Sequence, residues 1–313
     1  MKKMSFIAVV GMSLLGCGTD NSGPELLPDL AAELEAPPAN GIQVVSPIFE
    51  DVEPGTDYEI CTWTDKIFDA QTDVRWTQGF QSEPPGHHVI LFYTLEKQPP
   101  GTQRVCTDND MATFRFLAGN GGNKEKNMAP GNLVYRIPAG AQIVMNHHYL
   151  NASDEKLKGQ SAVNIAFADP GNWIPSGNTA IVNTGLEVQP GVSTQEMHCT
   201  LDRQLKLWYL APHMHRWGKE ITVDVTKNGE KTRAFDIHEW DPSWTFHPPE
   251  NRRDPADPLI LNPGDKIDVS CTWNNTEGRV LPFGFEMCVA FGQFVDDTGM
   301  GNWACDHGNW VDF

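Results

Sequence analysis

The chain has 313 residues, 40% hydrophobic and 20% charged, which is enough apolar matter for a sizeable core and excludes a disordered chain. Its formal net charge of -18 opposes phosphate backbones and excludes nucleic acid as an expected partner. With 28 glycines and 23 prolines, the composition favours short strands joined by turns over long helices, and the length suits two domains.

Residues 1–16 (MKKMSFIAVVGMSLLG) read as a lipoprotein signal peptide, with Lys2 and Lys3 before an apolar run too short to span a bilayer. Leu14-Leu15-Gly16-Cys17 resembles a bacterial lipobox, which implies cleavage before Cys17 and lipidation of its thiol. Residues 17–41 are polar, acidic and Pro/Gly-punctuated, and read as a lipidated tether. No later apolar run reaches membrane length, so membrane contact is expected through the N-terminal lipid only. The expected location is the bacterial cell envelope, lipid-anchored and exported, at the outer membrane or facing the periplasm. Export permits disulfides among Cys61, Cys106, Cys199, Cys271, Cys288 and Cys305, none of which forms a CxxC. Counting alone leaves about fifteen pairings open.

From residue 42 onward short β-rich runs alternate with turn signals. They are Ile42–Val45, Tyr58–Trp63, His88–Tyr93, Leu133–Ile137, Ile143–Tyr149, Ala162–Phe167, Leu205–Leu210, Ile221–Thr226, Lys266–Trp273 and Phe283–Phe294. Asn228-Gly229 follows the alternating run from Ile221 to Val225 and predicts a hairpin. No amphipathic helix of three turns is visible. The pattern predicts an all-β protein of two consecutive jelly-roll or β-sandwich domains with a cleft between them. The Pro/Gly-rich stretch Asp169–Asn178 supplies the boundary, giving 42–175 and 176–313.

The ten histidines are unevenly placed. His213 and His215 flank Met214 after the strand-like LKLWYLAP, and residues i and i+2 of a strand share a face, so both imidazoles can meet one metal. His87-His88 are adjacent, so joint ligation needs a strand end, a bulge or different ring nitrogens. His147-His148 pose the same problem, with one of the two expected to ligate. Histidine clusters without carboxylates suit copper or zinc better than calcium or magnesium. The chain lacks GxSxG and HExxH, which argues against a serine hydrolase and a zinc protease. His198, His238, His247 and His307 read as surface or structural residues, and the tryptophans at 240, 244, 303 and 310 as packing.

Four of these segments, in order, resemble the copper type II, ascorbate-dependent monooxygenases. Gly86–Tyr93 (GHHVILFY) looks like the paired-histidine strand of that family, and His147–Asn151 (HHYLN) like its HY motif. His213–Lys219 (HMHRWGK) looks like its HxH motif, and Glu286–Cys288 (EMC) like its methionine-ligand motif. The resemblance spans nearly all of the chain beyond the tether. It implies two mononuclear copper sites. His87, His88 and His148 would form an electron-transfer site; His148 is preferred to His147 because it precedes Tyr149 directly. His213, His215 and Met287 would form the oxygen-activating catalytic site. The resemblance also implies the disulfides Cys61–Cys106, Cys199–Cys305 and Cys271–Cys288.

The activity so implied is hydroxylation of a C–H bond of a small organic substrate, with dioxygen and ascorbate or another reductant as co-substrates. Peptide-amidating relatives carry an arginine two positions before HxH that holds the substrate carboxylate; here that position is Ala211. A substrate-contacting tyrosine four residues after the methionine is Phe291. A glycine-extended peptide is therefore not the expected substrate. Two other readings use the same residues: a copper storage, delivery or sensing lipoprotein, and a metal-free β-sandwich binding module.

Overall fold

The computed structural model describes residues 24–312 apart from 108, 109, 111, 112, 122, 123, 246 and 300. The signal peptide and the lipobox with Cys17 lie outside the described residues. Within residues 17–41, read as a tether, Pro28–Glu33 forms a short helix. Its Leu30 is fully buried against Phe80 and Ala162, with Leu26, Leu27 and Leu34 beside it. That segment is packed on the fold from Leu26 onward.

The protein is all-β. In the first half, strands Gly41–Val45, Ser161–Phe167, Thr72–Gln81 and Leu133–Ile137 lie side by side in one sheet. The opposing sheet runs Gln103–Val105, Asp57–Ile67, Gln142–Leu150, Gly86–Thr94, Arg115–Gly121. Val89, Leu91, Ile143 and Met145 from the second sheet meet Val44, Val74, Val163 and Ile165 from the first in one core. In the second half, Ile174–Val182, Val289–Val295 and Leu205–His213 are neighbours, facing a sheet ordered Gly191–Thr200, Lys266–Asn275, Gly218–Lys227, Glu230–Ile237. Lys266–Asn275 alternates without a break, with Ile267, Val269, Cys271, Trp273 and Asn275 buried, as a strand with one face on a core must. Each half is thus a β-sandwich.

The Asn228-Gly229 turn joins Lys227 to Glu230 directly, with φ of 53° and 82°. Two consecutive left-handed residues match the strand twist, and Asn-Gly is the pair that adopts them at least cost. The cysteines pair as Cys61–Cys106, Cys199–Cys305 and Cys271–Cys288, so among the described residues no bridge crosses between the halves.

The halves are joined through their sheets. Ile174 and Pro175, inside the expected boundary stretch, pair in parallel with Leu133 and Val134, so one sheet continues from the first sandwich into the second. The strand Leu205–His213 serves both cores. Leu205, Leu207 and Leu210 pack into the second, whereas Trp208 is buried in the first and donates from Nε1 to Ser176 Oγ at 3.1 Å. Asn178 adds a hydrogen bond to the Phe116 carbonyl at 3.2 Å. A fully buried indole removes about 150–250 Å² from water, worth several kcal/mol at about 25 cal/mol/Å² as an upper figure.

One predicted strand is not continuous. Phe283–Phe294 divides into a turn, with Gly284 at φ 96°, and a strand that begins only at Val289. Glu286 and Met287 therefore precede the strand. The buried Glu286 carboxylate collects N–H groups there, which a regular ladder does not permit.

Candidate metal centre

The first histidine group is built by a bulge. His148 pairs with His88, but the next residue, Tyr149, pairs with Gly86, which leaves His87 as the extra residue. A bulge re-aims a side chain that regular alternation would send to the opposite face. Ring centroids of His87 and His88 consequently lie 4.9 and 4.8 Å from that of His148. One ring nitrogen from each of the three lies within 4.8 Å of the others, and His87 Nδ1 is 3.2 Å from His148 Nδ1. Among the described residues this is the group of three His, Cys or acidic side chains with metal-binding spacing. All three rings are half-buried.

Gly86 makes the bulge possible. A Cβ there would lie 2.5 Å from Gln81 Cβ and 2.5 Å from the Ser82 carbonyl oxygen, and the Gly86 N–H donates to that same carbonyl. Backbone cannot yield as a side-chain tip can. Gly86→Ala is expected to cost about 1–3 kcal/mol by overpacking and to splay the three imidazoles. Urea denaturation with copper titration checks both effects.

His147 faces the other way. It is fully buried, with Nε2 3.0 Å from Thr62 Oγ1 and its ring parallel to that of Tyr149. Burial holds its pKa at about 3, well below the usual 6.5. The unfolded chain takes up this proton below about pH 6.5 while the folded chain does not. Stability of the copper-free protein is therefore complete above about pH 6.5 and falls toward pH 3, by about 1.4 kcal/mol per pH unit for this residue. His147→Gln is expected to leave copper content unchanged and to make the acid loss between about pH 6.5 and 5 smaller by roughly 2 kcal/mol. Urea midpoints at the two pH values, in chelator, measure it.

The second group lies at the end of Leu205–His213. His213 is the last strand residue and His215 is in the following turn, so the pair does not sit on one regular strand. Alternation nevertheless persists: Met214 is fully buried in the second core, and the imidazoles on either side lie 5.0 Å apart between ring centroids. Gly218 lets the turn close, since a Cβ there would meet Met214 Cβ and Trp240 at 3.0 Å. His215 Nδ1 is 3.1 Å from the Phe285 carbonyl oxygen, and the Phe291 ring is 5.4 Å from that of His213. Met287 packs partly buried against the cluster of Ala180, Val182, Val289 and Ala304, and Val289 is the ladder partner of His213. The next residue, Cys288, is bridged to Cys271 on the opposing sheet.

One imidazole in each group, His88 and His213, is held below its ordinary pKa. Burial keeps His213 at about 3, assisted by His215. His88 is held well below 6.5, first by burial, then by His148 and His87, and then by His213 and His215 of the other half. The two groups are thus within electrostatic reach of one another across the junction of the sandwiches. Unprotonated nitrogens offer lone pairs to a metal, and a thioether adds a soft donor, a combination suited to copper. Of the residues expected to ligate, the structure brings His87, His88 and His148 together, and His213 with His215. It ties Met287 to the latter pair through the backbone.

Ala211 is buried at 1% exposure and is the ladder partner of Phe291, itself 43% exposed. The surface beside His213 is accordingly apolar. A pocket of about 480 Å³, lined by Trp208, Tyr209, Asn228, Arg233 and Arg253 among others, involves none of the candidate ligands. The carboxylate of Glu286 carries no role in the sequence reading; its signal is a lone acid inside the apolar run Phe283–Phe294.

No protein-family model matches the chain, and no curated protein matches it. Two viral structures show partial likeness. That of infectious bursal disease virus Gx strain has 9% identity and a TM-score of 0.21, over 85% of this chain and 75% of that one. An archaeal virus protein with a triple jelly-roll fold has 6% identity and a TM-score of 0.17, over 83% and 61%.

Proposed function

We propose that the protein is a copper-dependent monooxygenase of the copper type II class, hydroxylating a C–H bond of a small organic substrate with dioxygen and a reductant such as ascorbate. The observation that supports the reading is two separate histidine clusters, His87, His88 and His148 in the first sandwich and His213 with His215 in the second. Copper, when bound, supplies one-electron redox chemistry and dioxygen activation. His87, His88 and His148 would hold the electron-accepting copper, and His213, His215 and Met287 the oxygen-binding one. The thioether favours the reduced ion, and the imidazoles serve both oxidation states.

The chain's other contributions are positional. The Gly86 bulge converges three rings without a dedicated loop. Trp208 anchors the strand that ends in His213 to the half that holds the other group. The apolar pair Ala211 and Phe291 offers no charge to a substrate carboxylate beside His213. A lipid anchor at Cys17 would tether the enzyme in the cell envelope, where its three disulfides are stable.

The test is oxygen uptake by copper-loaded protein, with ascorbate oxidation and hydroxylated product measured together over a broad substrate panel. Equal stoichiometry of oxygen consumed and product formed is the expected result. A protein that binds copper yet is inert toward the panel is instead a copper storage, delivery or sensing protein. One that takes up no copper is a metal-free module.

A further inference from the structure

The carboxylate of Glu286 is fully buried, and its partners are four N–H groups, none of them a cation. Oε2 accepts from the His215 backbone at 3.1 Å, the Met287 backbone at 3.0 Å and the Trp273 indole at 3.0 Å. Oε1 accepts from the Trp217 backbone at 2.9 Å. A buried charge without a counter-ion is costly unless its lone pairs are well supplied with donors, and here they are. Three of the donors belong to segments that carry candidate ligands. His215 and Trp217 lie in the turn after His213; Met287 is the next residue along the chain from Glu286. One oxygen atom therefore touches the backbones of both His215 and Met287, which are far apart in sequence. Trp273 ties the same oxygen to the opposing sheet, two residues from the Cys271 bridge.

We infer that Glu286 is the positioning residue of the second metal group: its carboxylate sets the placement of Met287 relative to His213 and His215. The inference rests on the reading of those three residues as copper ligands. The geometry gives the carboxylate two effects. It templates the HxH turn, whose backbone N–H groups at His215 and Trp217 have no ladder partner after the strand ends. It also places one negative charge beside a donor set of two imidazoles and a thioether that carries none, which favours a bound cation.

Glu286→Gln separates these effects from packing. An amide has the same shape but one acceptor oxygen. With that oxygen in the Oε2 position, the NH₂ group faces the Trp217 N–H and that hydrogen bond is lost; the reverse orientation loses three. Three measurements on the full chain decide the matter. In copper-free protein, amide NMR is expected to show the His215, Trp217 and Met287 N–H signals shifted and exchanging faster in the variant. In copper(I)-loaded protein carrying His88→Ala, so that the second group is the one observed, X-ray absorption is expected to show a sulfur neighbour that Glu286→Gln weakens or removes. Copper(I) affinity by chelator competition is expected to fall roughly 10- to 100-fold. Trp273→Phe, which removes one donor and leaves the charge, is expected to move all three readouts less and in the same direction, and serves if Glu286→Gln does not fold. Unchanged sulfur scattering and affinity in folded variants, with wild type sulfur-ligated, overturns the proposal alone. Wild-type protein that takes up no copper at this group overturns the ligand reading and the proposal with it.

Discussion

Met287→Ile is expected to abolish ascorbate-driven hydroxylation while leaving total copper near two per chain. Isoleucine is close to methionine in volume, and such exchanges cost less than about 1.5 kcal/mol, so the fold should tolerate it. Met287 is only partly buried and packs beside Ala180, Val182 and Val289, which an aliphatic residue can also do. What the substitution removes is the soft donor. The imidazoles of His213 and His215 remain 5.0 Å apart between centroids and can still retain a copper ion, though with altered preference between its oxidation states. The loss of activity should exceed the roughly 10- to 100-fold typical of a residue that merely supports a ligand. Oxygen uptake and product formation are measured beside copper content on one preparation. Unimpaired turnover in the variant would remove Met287 from the oxygen site, and a fall in both copper and activity would assign it a binding role alone.

His88→Ala and His213→Ala are each expected to lower copper from two per chain to one, and the double variant to take up none. The rings of His87, His88 and His148 form a triangle, with His88 at 5.6 and 4.8 Å from the other two centroids, so its loss removes one of three donors and leaves two adjacent imidazoles. His213 is the strand-end member of its pair and the one next to Phe291, and its loss leaves a single imidazole with the thioether. Both side chains are half-buried, so truncation should cost folding less than metal. The two groups sense each other electrostatically, and this gives the experiment a third informative result. If either single variant releases both ions, the histidines form one binuclear centre instead of two mononuclear ones. Metal analysis after dialysis, with spin counting for copper(II), distinguishes the cases.

Much of the fold was legible because β structure writes a period of two into the sequence. The β-rich run Lys266–Trp273, the Asn228-Gly229 turn and the scarcity of helical periodicity are local properties, and each reappears in the structure. The candidate histidines were legible as clusters for a similar reason. In the HxH segment alternation puts Met214 inward and both imidazoles outward, although the strand itself ends at His213. The Pro/Gly-rich stretch Asp169–Asn178 was visible as an interruption, but its second role was not: Ile174 and Pro175 extend a sheet that begins in the first sandwich.

By itself, then, the sequence determined an all-β chain with six cysteines for three bridges and histidines grouped on particular strands. Tertiary structure decided how those groups converge. Whether His87 joins His88 depends on a register shift against the strand holding His148, and which of His147 and His148 faces the group depends on the same pairing. The helix at Pro28–Glu33 is held by Phe80 and Ala162, residues its own six positions do not announce. The placement of Met287 depends on a buried carboxylate that gathers donors from His215, Trp217 and Trp273. The physical reason is one of range. Alternation and turn preference arise between neighbours in sequence, whereas bulges, buried charges and shared cores arise between segments that only folding brings within hydrogen-bonding distance.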